Sequence, residues 1–224
     1  SDYLWMLLGT AVDNMLSARL GLDAQYKMEY DPIDGVTVVG VADVIVPPYI
    51  DDWKVTSTYT LNNEERIQEY ANQLNMYVWL WDNAVKGKPI EHIRIQAYLR
   101  DWMVSKAMYD PHYPKCQLTT IDLTSKLLSP EDREHMVLSR LEDHLDNPMR
   151  ECTPHEKWQS ETTYAVKNGK IKKALRVLPT EEDAERWIAG KNTTGLWIET
   201  RPGKCARCQS YCNVSAVCPY NKEK

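Results

Sequence analysis

Two carboxylates and an ammonium stand close together in residues 40–54, which read Gly-Val-Ala-Asp-Val-Ile-Val-Pro-Pro-Tyr-Ile-Asp-Asp-Trp-Lys. Asp43 interrupts a run of Val and Ile, where a carboxylate is costly unless a cation or a hydrogen-bond donor compensates it. Asp52 and Lys54 are two residues apart, so in a strand they share one face, with Asp51, Trp53 and Val55 on the other. If the two strands are neighbours, Asp43, Asp52 and Lys54 converge. Such a trio suits a divalent metal, which polarises a phosphate and lowers the pKa of a bound water. Lys54 would orient that water or neutralise charge developing on the phosphate. For Asp-x-Lys alone, a surface salt bridge is the plainer reading.

A second group closes the chain. Cys205, Cys208, Cys212 and Cys218 are four of the six cysteines, which leaves Cys116 and Cys152 as incidental thiols. Disulfide frameworks belong to small secreted scaffolds, so a metal is the better reading here. Structural zinc usually joins two Cys-x2-Cys pairs through a longer loop, whereas one compact run suits a 4Fe-4S cluster; Zn2+ is the alternative. The five histidines show no metal spacing among themselves.

These groups need elements to hold them. Residues 3–20 place Leu, Ala and Met at helical spacing and end at Gly21. Residues 24–30, 36–46 and 49–55 read as three successive strands, turned by Asp31-Pro-Ile-Asp-Gly35 and by Pro47-Pro48. Residues 64–85 carry an apolar stripe of helical period and close at Gly87-Lys-Pro89; residues 90–99 return as a strand, as in a helix crossing over a mixed sheet. Residues 101–115 are aromatic and basic, and residues 117–123 look like a short edge strand. Ser129-Pro-Glu-Asp132 starts a helix over residues 130–145. Residues 161–166 and 171–177 form a predicted hairpin, followed by a helix over residues 180–189. Trp79 and Trp81 on the long helix read as core and flank. Candidate phosphate contacts are the basic hairpin group (Lys167, Lys170, Lys172, Lys173 and Arg176) and Arg201, Lys204 and Arg207 around the cysteines.

In this order, the motifs resemble the RecB-like branch of the PD-(D/E)xK nuclease superfamily, which includes CRISPR-associated exonucleases. Asp43 and Asp52-Trp53-Lys54 fill its two strand positions. Gln73-Leu-Asn-Met-Tyr77 fits its Gln-x3-Tyr helix, and the four-residue spacing puts Gln73 and Tyr77 on one face. The first motif departs, because Gly9-Thr-Ala-Val12 is followed by Asp13 where the family usually has His; Asp can also hold a hard cation. The resemblance implies a restriction-endonuclease-like α/β core, a mixed central β-sheet flanked by helices, with a C-terminal metal- or iron-sulfur-binding cap. It implies that Asp13, Asp43, Asp52 and the Trp53 carbonyl oxygen hold Mg2+ or Mn2+. Lys54 would act on the attacking water, and Gln73 and Tyr77 would position the strand. It also implies a 4Fe-4S cluster near the Cys212-x5-Cys218-Pro219 ending; relatives take one ligand from before the core, and here Cys205 would supply it.

The expected layout is a nuclease core over residues 1–125, a helix and hairpin extension over 126–200 and a cysteine-cluster segment over 201–224. At 224 residues and 43% hydrophobic, the chain can bury a good core. A formal charge of −5 offers no global attraction to nucleic acid, so DNA contact must come from a local basic patch or through bound metal. No apolar run approaches the ~20 residues of a membrane span, and the opening residues lack a signal peptide's basic start. The expectation is therefore a cytoplasmic, bacterial or phage-encoded, metal-dependent DNA exonuclease. It would act on DNA, single-stranded ends above all, in recombination, repair or CRISPR-type processing, with a recombination or CRISPR protein as partner. The alternative, favoured by Asp13 at the family's His position, is a nuclease-fold DNA-binding or interaction module with weakened catalysis and a structural iron-sulfur or zinc site.

Overall fold

The computed structural model describes residues 7–12, 14, 15, 18, 24–146, 150–169, 172–191 and 193–221. They fall into two units, Ser1–Asp146 and Asn147–Lys224.

In the first unit, a helical segment that includes residues 7–12 precedes β1 (Ala24–Ile33), β2 (Val36–Val46) and β3 (Tyr49–Thr56). Then come α1 (Glu64–Leu80), β4 (His92–Leu99), α2 (Val104–Tyr109), β5 (Leu118–Asp122) and α3 (Pro130–Asp146). The sheet order is β1-β2-β3-β4-β5. Three pairings are antiparallel and β3–β4 is parallel, with α1 in the connection between those two strands. This is an α/β unit with a mixed sheet flanked by helices.

The helix starts at Asn63, whose side chain accepts a hydrogen bond from the Arg66 N–H at 3.1 Å, with Glu64 and Glu65 in the first turn where the helix dipole favours acids. It runs on as a wider turn, Trp81–Val85, and stops at Lys86 in the left-handed conformation. Residues 64–85 are thus helical throughout, as the apolar stripe predicts. Alternation along β4 turns Ile93, Ile95, Ala97 and Leu99 inward against Ile67, Leu74 and Val78 in one buried core. On β3 the same inward face carries Ile50 and Asp52. Trp79 and Trp81 are both buried in this core, where the sequence reading had core and flank.

In the second unit, β6 (Thr163–Asn168), β7 (Arg176–Leu178) and β8 (Leu196–Arg201) form a sheet of order β7-β6-β8, with α4 (Glu181–Ala189) between β7 and β8 in sequence and α5 (Ala206–Ser210) after β8. The predicted hairpin is present, but its second arm is shorter than residues 171–177. β8 lies on the other flank of β6 and has no counterpart in the sequence reading. Leu-Trp-Ile-Glu-Thr-Arg is a short run that acquires strand character by pairing antiparallel to β6. Among the described residues, no helix is long and apolar enough to cross a membrane.

Candidate active site

The β2–β3 ladder runs from Val46↔Tyr49 to Val44↔Asp51, and beyond it the two strands part. Inward-facing Gly40 and Ala42 are followed by inward-facing Ile45, so the alternation of β2 slips by one residue at the fork. Asp43 sits at that slip. Its Oδ2 accepts the Trp53 backbone N–H at 2.7 Å, and its Oδ1 accepts from the Gln25 amide at 3.1 Å. Hydrogen-bond donors at these distances satisfy its oxygens, and Lys54 adds a more distant positive charge.

Across the fork, Asp52 is 2% exposed. Lys54 Nζ lies 2.6 Å from its Oδ2, and Gln73 Nε2 donates to its Oδ1 at 3.2 Å. The same Gln73 amide donates to the Tyr77 hydroxyl at 2.8 Å. One turn of α1 separates Gln73 from Tyr77, which brings both side chains over Asp52 in the middle of β3. Burial works against the Lys54 ammonium, but the Asp52 carboxylate, with Asp43 behind it, more than offsets this and raises its pKa above the ordinary lysine value. Burial pushes the Tyr77 phenol up as well; the hydrogen bond from Gln73 opposes the rise and the two aspartates add to it. The residues line a cavity of about 350 Å³ together with Gly9, Thr10, Val12, Gln96 and Tyr98.

Asp43, Asp52, Lys54, Gln73 and Tyr77 are therefore brought together at one place. Asp13 lies outside the described residues, although its neighbours Thr10 and Val12 line the cavity. Asp51, on the opposite face, is engaged by Arg94 through two bonds of 2.8 and 2.7 Å and by Gln96 at 3.0 Å.

No family model matches this chain, and no curated protein matches it. The likeness to RecB-like nucleases accordingly rests on the motif residues themselves.

Three supporting residues went unread in the sequence. Asn75, 0% exposed, lies between Gln73 and Tyr77 on α1; its amide donates to the Ala71 and Lys126 carbonyl oxygens, and its oxygen accepts the Leu128 N–H at 2.9 Å. It pins the segment entering α3 against α1. A polar residue within an apolar stripe was the available signal. Gly40 lies under Tyr77 and Leu80, where a Cβ would come within 2.5 Å of Leu80 Cδ1 and 3.2 Å of the Tyr77 ring. Gln25 carried no signal; it lies within β1 with a left-handed φ of +56°.

Among the described residues, no group of three or more His, Cys, Asp or Glu side chains is gathered as a metal-holding set. Mg2+, however, is commonly bound by only one or two carboxylates with water completing its shell. Two hard oxygen donors on the arms of the fork fit that requirement. The second unit holds five of the six cysteines, all free thiols, with Cys205, Cys208, Cys212 and Cys218 half-buried and Cys152 exposed; Cys116, also an exposed free thiol, belongs to the first unit. Cys205 pairs with Gln159 through an isolated bridge. Burial, then the neighbouring Cys205 and Cys212, push the Cys208 thiol up. Soft sulfur donors of this kind suit zinc or iron-sulfur clusters.

The basic groups proposed for phosphate are partly committed elsewhere. Lys167 and Arg201 both bond Glu199, and Arg207 bonds the Glu156 carbonyl oxygen.

Proposed function

We propose that this protein is a metal-dependent DNA exonuclease of the RecB-like type. The observation that supports this best is the buried Asp52, paired with Lys54, tied by Gln73 to Tyr77 and lying across the β2–β3 fork from Asp43.

Mg2+ or Mn2+ held by Asp43, Asp52 and the Trp53 carbonyl oxygen, with Asp13 directly or through water, would supply Lewis-acid polarisation of a phosphate and acidify water for attack. The chain's own part is positional and electrostatic. Lys54 is held as a cation by Asp52 beside the place where negative charge grows on the phosphate, which stabilises the transition state more than the ground state. Gln73 spends both amide hydrogens fixing Asp52 and Tyr77 in one hydrogen-bonded row, which leaves the Tyr77 hydroxyl hydrogen as donor and the Gln73 carbonyl oxygen as acceptor along the strand path, neither taking part in bond making. In-line attack by water on phosphorus breaks the P–O bond to the leaving sugar oxygen, which ends protonated. Cys205, Cys208, Cys212 and Cys218 would hold a 4Fe-4S cluster, or Zn2+ in its place, as a structural group. Roles in recombination, repair or CRISPR-type processing share this chemistry.

The test is cleavage of end-labelled single- and double-stranded DNA with Mg2+, with Mn2+ and with EDTA, for the wild type and Asp52→Asn. Stepwise shortening that needs metal and is lost in the variant is the expected outcome. Binding without cleavage by the wild type would replace the enzyme with a DNA-binding module.

A further inference from the structure

A second cavity, about 490 Å³, opens in the first unit beside the fork. Its walls are Val38 of β2, Met76 of α1 and Met136, Val137 and Leu141 of α3, with Arg140 on the exposed side. Gln73 lines both this cavity and the carboxylate site. One residue thus faces an acidic, phosphate-directed chamber and an apolar one.

The apolar cavity is held open by built features. Asn75 and the strap at Lys126–Leu128 set where α3 begins. Arg133, 7% exposed, donates to Asp82 at 2.8 Å and to the Leu128 carbonyl oxygen, which fixes the near end of α3 against the end of α1. With these anchors in place, Met76 and Met136 line the gap without closing it.

We propose that this cavity takes the terminal nucleobase of the DNA strand whose phosphate lies at Asp43, Asp52 and Lys54. The proposal rests on the nuclease reading and adds the site that recognises the strand end. Four observations carry it. The cavity shares Gln73 with the phosphate site, so base and phosphate of one nucleotide can occupy the two chambers at once. Its volume lies within the ~300–1,000 Å³ of small-ligand pockets and accommodates a purine with its sugar. Its lining is apolar, with two methionines whose flexible thioethers pack against aromatic rings of differing shape, which suits an enzyme that must accept any base in turn. Arg140 gives the rim a positive charge in an otherwise acidic protein, complementary to a neighbouring phosphate.

The experiment measures Kd by fluorescence anisotropy for labelled oligonucleotides in Ca2+ without turnover. The oligonucleotides carry a tetrahydrofuran abasic residue at the 5′ end, at the 3′ end or at neither. Loss of the terminal base at one of the two ends is expected to weaken binding about tenfold, the scale of removing one stacked base. Met136→Trp fills the cavity and is expected to weaken the intact oligonucleotide to the same level while leaving the abasic one unchanged. Met136→Leu keeps the space and keeps the preference. Unchanged abasic affinity shows that the Trp variant is folded. The proposal is overturned if neither abasic end matters, if Met136→Trp retains the preference, or if it weakens intact and abasic strands alike. Those results alongside metal-dependent cleavage by the wild type would sink the pocket and spare the nuclease; no binding to any oligonucleotide would sink both.

Discussion

Asp52 is 2% exposed and the Lys54 ammonium lies 2.6 Å from its Oδ2, so the two are energetically coupled. Replacing Lys54 by Met removes the ammonium 2.6 Å from this buried carboxylate, a loss that costs about 1–3 kcal/mol. Urea unfolding of the metal-free protein at neutral pH should show it. The pH dependence has a definite sign. Lys54 and Tyr77 both have folded pKa values above their ordinary 10.5 and 10.0, so the folded chain keeps protons that the unfolded chain releases. Their contributions are fully present below about pH 10 and are lost as pH rises through the folded values. Metal-free protein should therefore lose stability from pH 10 upward, and Lys54→Met with Tyr77→Phe should flatten that slope; an unchanged slope would contradict the buried placement of both groups. For activity, Asp43→Asn, Asp52→Asn and Lys54→Ala should each lower kcat by about 10²–10⁴, and pairs of them by little more, because the three act as one unit. Near-normal turnover in any one would remove that residue from the site.

The elements that carry these residues explain what could be read ahead of the structure. β2, β3 and α1 each have enough regular alternation or helical period to betray their faces, so the shared face of Asp52 and Lys54 and the pairing of Gln73 with Tyr77 were visible as spacing. The fork was not, because it arises from a one-residue slip between Ala42 and Ile45 that only the ladder with β3 reveals. Nor were Gln25, Asn75 or β8, each of which depends on a neighbour distant in sequence: Asp43 for the first, Lys126 and Leu128 for the second, β6 for the third. Asp13 falls outside the described residues. Gly40 shows how closely packing and site are linked. A larger residue there meets Leu80 Cδ1 and the Tyr77 ring, and Leu80 is fully buried. Gly40→Val should cost about 1–3 kcal/mol through overpacking. It should also lower kcat by displacing Tyr77, whereas Val41→Thr on the exposed side of the same strand should do neither; thermal melts and cleavage rates on the two variants check the contrast.

At the scale of the whole chain, the two units differ in how much apolar surface they bury. The first has a continuous core from Met28 to Val137, whereas the buried apolar residues described in the second are Ala165, Val166 and Ala184. Small units with so little core usually need a metal or cross-links, and the thiols here are unpaired. What orders the cysteine segment is a backbone clasp: Ser160 N–H donates to the Lys204 carbonyl oxygen at 3.1 Å, Arg207 N–H donates to that of Lys157 at 3.2 Å, and Ser160 Oγ accepts the Lys204 N–H at 3.0 Å. Gly203 makes the clasp possible, since a Cβ there would come within 1.7 Å of the Ser160 carbonyl oxygen, a rigid backbone atom that cannot step aside. Gly203→Ala should therefore pry residues 159–161 from 203–205 and move Cys205 without removing any thiol. If the four cysteines bind a cluster, protein purified without oxygen should be brown, and its colour and iron content should fall in Gly203→Ala as they do in Cys208→Ser. Hydrogen exchange in both variants should then rise across residues 150–221 while residues 24–146 stay protected, because binding energy at the cysteines is folding energy for their own unit. A colourless wild type with stoichiometric zinc would assign the site to zinc, and a metal content untouched by Gly203→Ala would show that the clasp does not position Cys205 for binding.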